Sequence, residues 1–383
     1  MARVKARGRK LGSLVYNPGG PGQAATEFIV GAASGAQVYS SELLEHYDIV
    51  GLDPRGTGFS HPVMCDPDIW NERVSLFPKT TTEFQELVEH NRVVGDSCAK
   101  LTGPLINHLD TIHVVKDLEL IGYTYAELYP ENVNHIVGDG ILDHGQSEAT
   151  TLNGEAEDAY ERTLDQFFEW CKSNSTCFQH KENPAAIFDA IVKQANSKPI
   201  PAPGCSSKGD GACRVDVTGE EIRFNAQGFL GAVDESLFFP GWLALSEAIA
   251  LAAKGNATLL STHLATSKTS TQFPGMAIGC QDWSHNSKST ACIGWPAPNT
   301  NPQGPVRKSV MKAPKMLLVN SLYDPENSYV WANSVRNQVP NSVLLTRNGG
   351  GHTSYQLWGK TSELMDRFLI TGELPKDGTI VDS

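Results

Sequence analysis

The chain has 383 residues, and its 31 basic and 43 acidic side chains give a formal net charge of −12. This length allows one large α/β core with an inserted subdomain. An acidic chain is a poor electrostatic match for nucleic acid or an anionic membrane, and no stretch approaches the roughly 20 apolar residues of a membrane span. We therefore expect neither a nucleic-acid nor a membrane partner.

Strand and helix patterns alternate along the first 143 residues. Short β-rich runs at 14–16 and 47–52 each end in a glycine-containing loop, at 17–22 and 53–60. Helical periodicity follows at 81–101 and at 111–121, where Thr111 is the expected N-cap, and 133–142 is a further apolar segment. This alternation predicts an α/β fold with a mostly parallel sheet.

The character of the sequence changes at about residue 144. Helical patterns cover 156–171, 183–195 and 218–254, whereas 268–306 is rich in Pro, Asn, Ser and Gly. Strands at 316–320 and 342–346 and helices at 326–339 and 356–371 then return to the alternating pattern. We predict an N-terminal core part (1–143), an inserted and mainly helical cap (144–308), and a C-terminal core part (309–383).

Eight cysteines without metal-type C-x-x-C spacing favour disulfide bonds over a zinc site. Their order suggests one of many possible pairings: Cys171 with Cys177, Cys205 with Cys213, Cys280 with Cys292, and Cys65 with Cys98. Glycosylation sequons at Asn174 and Asn256 also favour an oxidising compartment. The basic N-terminus has no apolar segment, so this chain shows no signal peptide. Either the protein stays inside the cell, or the chain lacks its true beginning.

Three loops at predicted strand ends hold candidate catalytic groups. Gly19 and Gly20 offer backbone N–H groups suited to an oxyanion hole, although a tight turn is the simpler interpretation. Asp324 follows a strand and could equally be a turn or cap residue. His352 follows three glycines and could be an ordinary surface residue. Together, an acid and then a base in successive strand-end loops match the chain order of the α/β-hydrolase triad.

Six segments carry a resemblance to a known family: LVYNPGGPG (14–22), YDIVGLDPRGTGFS (47–60), VVKDLELI (114–121), YAELYPENV (125–133), LLVNSLYDP (317–325) and GGGHTSY (349–355). The sequence resembles the α/β-hydrolase serine peptidases of the prolyl aminopeptidase and tripeptidyl aminopeptidase group, in their secreted microbial form. The resemblance implies Asp324 as the acid, His352 as the base and 17–22 as the oxyanion loop. It also implies a secreted enzyme without a cofactor that removes amino acids or short peptides from N-termini, or cleaves a small ester or amide. We expect a monomer.

One family element has no counterpart in the sequence. The family places a Gly-x-Ser-x-Gly nucleophile elbow between the segments that end at Ile121 and begin at Tyr125, and the chain contains no Gly-x-Ser-x-Gly at all. Thr124 could in principle be a nucleophile, but no strand precedes it to form the strained turn, so we interpret it as an ordinary helical residue. Ser60 and Ser147 lie in loops without an elbow. No nucleophile is therefore assigned.

Three interpretations remain open from the sequence. The chain is an active hydrolase, an inactive family member that binds a ligand, or the product of a coding sequence that lacks an exon for the central strand and elbow. Acids of the predicted cap that could hold a substrate amine are Asp234, Glu235 and Asp282, although solvated carboxylates are equally expected in so acidic a chain. The aromatic residues Phe238, Phe239, Trp242 and Trp283 could line a pocket or belong to the core.

Overall fold

The computed structural model describes residues 1–118, 128–132, 134–146, 149–283 and 292–382. Helices and strands alternate in the N-terminal and C-terminal parts of these residues, which is the predicted α/β architecture. Within these ranges, no helix combines the length and the apolar composition that crossing a membrane demands.

The described residues form nine strands in three sheets. The strands are β1 (Ala2–Val4), β2 (Gly12–Tyr16), β3 (Tyr47–Gly51), β4 (Val137–Asp139), β5 (Ile200–Pro201), β6 (Asp216–Val217), β7 (Met316–Tyr323), β8 (Ser342–Gly350) and β9 (Thr379–Asp382). The helices are α1 (Ala25–Ala33), α2 (Ser41–His46), α3 (Pro67–Trp70), α4 (Thr81–Thr102), α5 (Thr111–Leu118), α6 (Ala149–Ser173), α7 (Pro184–Ser197), α8 (Gly219–Leu230), α9 (Gly241–Ala253), α10 (Phe273–Asp282), α11 (Tyr329–Gln338) and α12 (Lys360–Thr371).

Two of the sheets contain the strands of the predicted core. In the first, β3 pairs with β1 in antiparallel and with β2 in parallel orientation. In the second, the order is β4-β7-β8-β9 and every pairing is parallel. The predicted parallel arrangement is confirmed, but among the described residues it is divided over two sheets, with β2 at an edge of one and β4 at an edge of the other.

A common apolar core joins the two sheets. It includes side chains of β3, β7 and β8 together with helices α1, α2 and α12, among them Ile29, Leu43, Ile49, Leu317, Val319, Leu345 and Phe368. The first six residues of β7 are all buried, as expected for a parallel strand covered on both faces. The two sheets are therefore held together by side-chain packing.

The region predicted as a cap contains two packing groups. Helices α6–α9 form their own apolar core, which includes Phe167, Phe188, Ile222, Leu245 and Ile249. Side chains from 265–280 and 292–297 instead pack with side chains from 63–109. The boundaries of the cap at 144 and 308 stay a prediction.

All four predicted disulfide bonds are present. They join Cys65 to Cys98, Cys171 to Cys177, Cys205 to Cys213, and Cys280 to Cys292. The Cys65–Cys98 bond lies in the apolar group that 265–280 and 292–297 share with 63–109, and it connects the loop after β3 to helix α4.

Two local predictions are wrong. The helical signal at 218–254 is interrupted by a loop between α8 and α9, because the carbonyl oxygen of Gly231, directly after α8, accepts a hydrogen bond from the histidine loop, and the chain becomes helical again only after Pro240. Thr111 is also not the cap of α5, since Oδ1 of Asp110 accepts the hydrogen bond from the N–H of His113 at 3.1 Å. The edge strand β9 was not predicted at all.

Candidate active site

Asp324 and His352 meet at the carboxyl ends of β7 and β8. Asp324 directly follows β7, and His352 lies two residues after β8. Because these strands are parallel neighbours, both loops leave the same edge of the sheet. Nδ1 of His352 lies 3.0 Å from Oδ1 and 3.1 Å from Oδ2 of Asp324. The structure thus brings together the two residues that the sequence selected as acid and base.

The carboxylate of Asp324 is held by the backbone around it. Oδ1 accepts hydrogen bonds from the N–H groups of Glu326 and Asn327, both at 2.9 Å, and Oδ2 accepts one from Thr353 at 3.3 Å. Only 2% of the residue is exposed. The carboxylate is therefore fixed in place and aligns the imidazole through Nδ1, as an orienting acid does in a catalytic triad.

The backbone of the loop that carries His352 requires a glycine before it. Gly351 has φ +116°, and a Cβ at this position would lie 2.6 Å from the carbonyl oxygen of Gly231. In the same place the N–H of His352 donates a hydrogen bond to that carbonyl oxygen at 2.9 Å. The glycine run before the histidine thus allows a close approach between the end of α8 and the histidine loop.

A buried arginine holds the same loop from within the sheet. Arg347, in β8, donates hydrogen bonds to the carbonyl oxygens of Gly350, Gly351 and Thr353 and to Oγ of Ser354. Only 2% of Arg347 is exposed, so its guanidinium is directed into the loop and not into solvent.

The charge around His352 favours its protonated form. Burial by itself lowers the pKa of His352, but the charge and hydrogen bond of Asp324, followed by the charges of Glu326 and Asp139, raise it from 6.5 to about 9. The imidazole is therefore a cation at neutral pH in this state. It must lose the Nε2 proton before it can act as a general base.

The second ring nitrogen of His352 points toward another carboxylate. Nε2 lies 3.5 Å from Oε2 of Glu326, whose side chain remains 39% exposed. Among the described residues, no hydroxyl or thiol lies within hydrogen-bond distance of Nε2. Thr124 and Ser147 lie outside the described residues. Ser60 lies in the loop after β3, where its backbone pairs with Gly56 and Thr57.

The predicted oxyanion loop follows β2. Gly19 and Gly20 have φ angles of +79° and +113°, values that favour glycine. The N–H of Gly19 donates a hydrogen bond to Oδ1 of Asn17 at 2.9 Å, whereas the N–H of Gly20 has no acceptor within the described ranges. Of the two predicted donors, Gly20 is therefore the one with an unused N–H. A hydrogen bond of 3.2 Å from Gln356 to the Tyr16 hydroxyl joins this loop's strand to the helical turn after His352.

An open cleft of about 800 Å³ lies beside this glycine loop. Its walls include Gly20, Phe28 and Phe238, and Glu27 is the charged residue among its lining. Asp324 and His352 do not line the cleft. Phe239, the neighbour of Phe238, packs edge-on against the His352 ring with centroids 6.2 Å apart, so this wall of the cleft adjoins the histidine.

The other predicted acids are placed differently. Asp234 and Glu235 are exposed between α8 and α9. Asp282 is buried, and its carboxylate accepts hydrogen bonds from Thr111 and Asn301. Burial raises the pKa of Asp282, and these hydrogen bonds oppose the increase. Asp282 therefore fixes the start of α5, and its oxygens are already occupied.

The predicted aromatic residues divide between wall and core. Trp242 is buried in the core of α6–α9, whereas Phe238 is 40% exposed in the cleft. Trp283 packs against the ring of His144 with centroids 5.4 Å apart. Only Phe238 and Phe239 thus lie where a ligand beside the glycine loop or the histidine could reach them.

The two sequons share one local geometry. In each, the threonine hydroxyl donates a hydrogen bond to Oδ1 of the asparagine, at 2.8 Å for Asn174 and 2.7 Å for Asn256. Both asparagines are partly exposed. Their glycosylation stays a prediction.

Comparison with known proteins bears on this geometry. Residues 279–380, which contain Asp324 and His352, match the α/β-hydrolase family described as TAP-like protein. The chain is related to the TAP-like α/β-hydrolases. The predicted resemblance is confirmed at this level.

Curated relatives match longer parts of the chain. The serine protease Hip1 of Mycobacterium tuberculosis (strain H37Rv) is 28% identical over 204 residues, 46% of this chain and 38% of its own length. The tripeptidyl aminopeptidase of Streptomyces coelicolor is 25% identical over 221 residues, 51% of this chain and 41% of its own. The putative hydrolase YuaR of Escherichia coli K12 is 22% identical over 417 residues, 92% of this chain and 76% of its own. The matches to the first two thus span less than half of either relative.

Several residues of this site were not predicted from the sequence. Asp139, Arg347 and Glu326 all act on the loops of the acid and base. Arg347 leaves a signal in the sequence, since a charged residue at the end of the apolar run 342–346 is unusual unless it is paired inside. Glu326 and Asp139 leave none, because only the fold places them beside His352.

Proposed function

We propose that the protein is a serine-peptidase-type hydrolase that acts at the N-terminal end of peptides, or on a related small ester or amide, with Asp324 and His352 as its acid and base. The observation that carries this proposal is the Asp324–His352 contact at the carboxyl ends of adjacent parallel strands. The unused N–H of Gly20 beside the open cleft supports it. The names of the relatives, a serine protease and a tripeptidyl aminopeptidase, support a peptide substrate.

These groups have defined roles in acyl transfer. Neutral His352 would take the proton of the attacking hydroxyl through Nε2 and then deliver it to the leaving amine, while Asp324 stabilises the imidazolium that forms between the two steps. The Gly20 N–H would donate to the oxygen on which negative charge develops. The attacking oxygen bonds to the carbonyl carbon, and the bond from that carbon to the amine nitrogen breaks.

The nucleophile distinguishes this proposal from a second candidate, a silent relative that binds peptides without cleaving them. The missing Gly-x-Ser-x-Gly and the division of the parallel strands over two sheets among the described residues both favour the silent relative. The alignment with YuaR is longer than this entire chain, which is consistent with a segment that the relative has and this chain lacks. Without a nucleophile, only the weak catalysis of an oxyanion hole and a binding site remains.

One assay separates the two candidates. The purified chain is incubated with aminoacyl and tripeptidyl p-nitroanilides and with p-nitrophenyl esters, beside a His352→Ala control. Turnover that the substitution abolishes supports the hydrolase, whereas equal rates for both proteins contradict it. Thermal stabilisation by peptides without turnover supports the silent relative. Transcript sequencing across the codons of Ile121 and Gly122 tests whether a segment with the elbow has been omitted.

The location of the protein is also part of the proposal. Four disulfide bonds favour an oxidising compartment, and the two sequons agree with this. We infer an exported protein that acts as a monomer and needs no cofactor. Intact-mass measurement of protein from its native source tests the disulfides and the glycans directly.

A further inference from the structure

Glu326 stands where the reacting groups of a hydrolase must meet. In an Asp-His pair, Nδ1 faces the acid, so Nε2 is the nitrogen that exchanges protons with nucleophile and leaving group. Here Nδ1 is occupied by Asp324, and Oε2 of Glu326 lies 3.5 Å from Nε2. The imidazole of His352 thus has a carboxylate at each of its two nitrogens.

The backbone fixes Glu326 while its side chain stays accessible. Its N–H is bound to Oδ1 of Asp324, and the carbonyl oxygen of the preceding Pro325 accepts a hydrogen bond from Gln227 of α8 at 2.9 Å. The side chain nevertheless keeps 39% of its surface exposed, although the burial of the remainder raises the pKa of its carboxyl. A ligand can therefore reach this carboxylate.

Where the structure describes the chain, the carboxylates around His352 outnumber the cations there, so a bound cation would be stabilised beside Glu326. Among the described residues, Asp324, Glu326 and Asp139 are the carboxylates that raise the pKa of His352. Arg347 is a permanent cation whose guanidinium is hydrogen-bonded to the histidine loop. No lysine or arginine pairs with Glu326 among the described residues. When His352 becomes neutral to act as a base, Glu326 loses the one positive charge that faces it among the described residues.

We propose that the carboxylate of Glu326 binds the free α-ammonium group of the substrate, and that this contact releases the proton from Nε2 of His352. The inference rests on the proposed function only in taking the ligand to be the N-terminal end of a peptide. The ammonium replaces the imidazolium as the counter-ion of Glu326. The Nε2 proton passes to solvent, and His352 becomes a base once the ligand is bound.

The distance from the ammonium nitrogen to the scissile carbonyl carbon then distinguishes between possible substrates. In an aminoacyl substrate only one Cα separates the ammonium nitrogen from the scissile carbonyl carbon, a span of about 2.5 Å. In a tripeptidyl substrate the ammonium nitrogen lies two residues farther along the chain, which adds about 7 Å to its distance from that carbon when the chain is extended. A carboxylate 3.5 Å from Nε2 can touch the first ammonium but not the second. The contact therefore favours release of single N-terminal residues.

A binding experiment tests the contact without requiring turnover. The probes are 3-methylbutylamine, an alkylamine that stays charged up to a pH of about 10, and its uncharged analogue 3-methylbutanol. Calorimetric titration at pH 7.5 in two buffers of different ionisation enthalpy gives the affinity and the protons released. We expect the amine to bind at least tenfold more tightly than the alcohol, with a measurable release of protons from His352.

Variants assign the effect to one carboxylate. Glu326→Gln should abolish both the preference for the amine and the proton release, whereas Glu363→Gln, on the exposed face of α12, should retain both. Equal affinity of the amine for the wild type and Glu326→Gln overturns the inference. Loss of the preference in Glu27→Gln instead would place the ammonium in the cleft and overturn it as well.

Failure of this inference and failure of the proposed function are distinguishable. A protein that binds the amine through Glu326 with proton release, but hydrolyses no amide or ester, supports the inference and contradicts the proposed catalysis. A protein that hydrolyses N-acetylated and free aminoacyl amides equally well supports the catalysis and contradicts the inference. NMR titration of the His352 ring shows whether a folded Glu326→Gln variant keeps the Asp324 contact.

Discussion

Oδ2 of Asp139 accepts a hydrogen bond from the backbone N–H of Ser354 at 2.7 Å. A second bond, from the N–H of Tyr355 at 2.8 Å, reaches the same oxygen. Asp139 ends β4 and Ser354 lies two residues after His352, so this contact ties the histidine loop to a strand that is far away in sequence. Burial raises the pKa of Asp139, while these two hydrogen bonds oppose the increase.

Replacing Asp139 with alanine should loosen the histidine loop. Two buried N–H groups lose their acceptor, which should reduce the free energy of unfolding by about 3 kcal/mol. Urea denaturation measures this loss. The exposed pair Asp158–Arg162 supplies the control, since Asp158→Ala should change the free energy by less than about 1 kcal/mol. Equal effects of the two substitutions would contradict the anchoring role of Asp139.

Replacing Asp324 with asparagine should lower the pKa of His352. Burial already lowers the pKa of His352, and Asp324 is the main influence that raises it to about 9. In Asp324→Asn we therefore expect the pKa to fall well below 9, as measured by NMR titration of the ring. Hydrolysis, where the assay detects it, should fall roughly 10³- to 10⁴-fold. An unchanged ring titration would show that Asp324 does not orient the histidine in solution.

Stability should depend on pH through His352. The folded-state pKa of about 9 exceeds the ordinary value of 6.5, so His352 binds its proton more tightly in the folded protein than in the unfolded chain. Its contribution, about 3 kcal/mol, is fully present below pH 6.5 and is lost as the pH rises through 9. Urea unfolding between pH 6 and 9.5 measures the decline. His352→Gln should flatten it, and an equally steep decline in that variant would assign the effect to other groups.

The disulfide bonds should stabilise the fold by different amounts, according to the length of the loop that each one closes. Cys65 and Cys98 are separated by 33 positions, whereas Cys171 and Cys177 are separated by 6. Loop-closure entropy predicts that the first bond stabilises the fold by roughly 4 kcal/mol and the second by roughly 2 kcal/mol. Thermal denaturation of the two double-serine variants compares them. A larger loss for the pair Cys171–Cys177 would contradict this ranking.

Local pattern was sufficient for much of the fold. The buried run of β7 and the amphipathic face of α4 were predictable, because apolar periodicity reports how many faces of an element are covered. The neighbouring cysteines could be paired because short separations leave few other partners. The break between α8 and α9 was missed, since the apolar pattern continues through the loop 231–240 that separates the two helices.

The sequence by itself determined that Asp324 and His352 follow successive strands, and that no Gly-x-Ser-x-Gly accompanies them. Only the tertiary structure decided what surrounds the imidazole. Glu326 reaches Nε2, and Asp139 and Arg347 anchor the histidine loop, because parallel strands that are distant in sequence end at one edge of a sheet. Charges brought together in this way set the pKa of His352, and no linear pattern of residues encodes those distances.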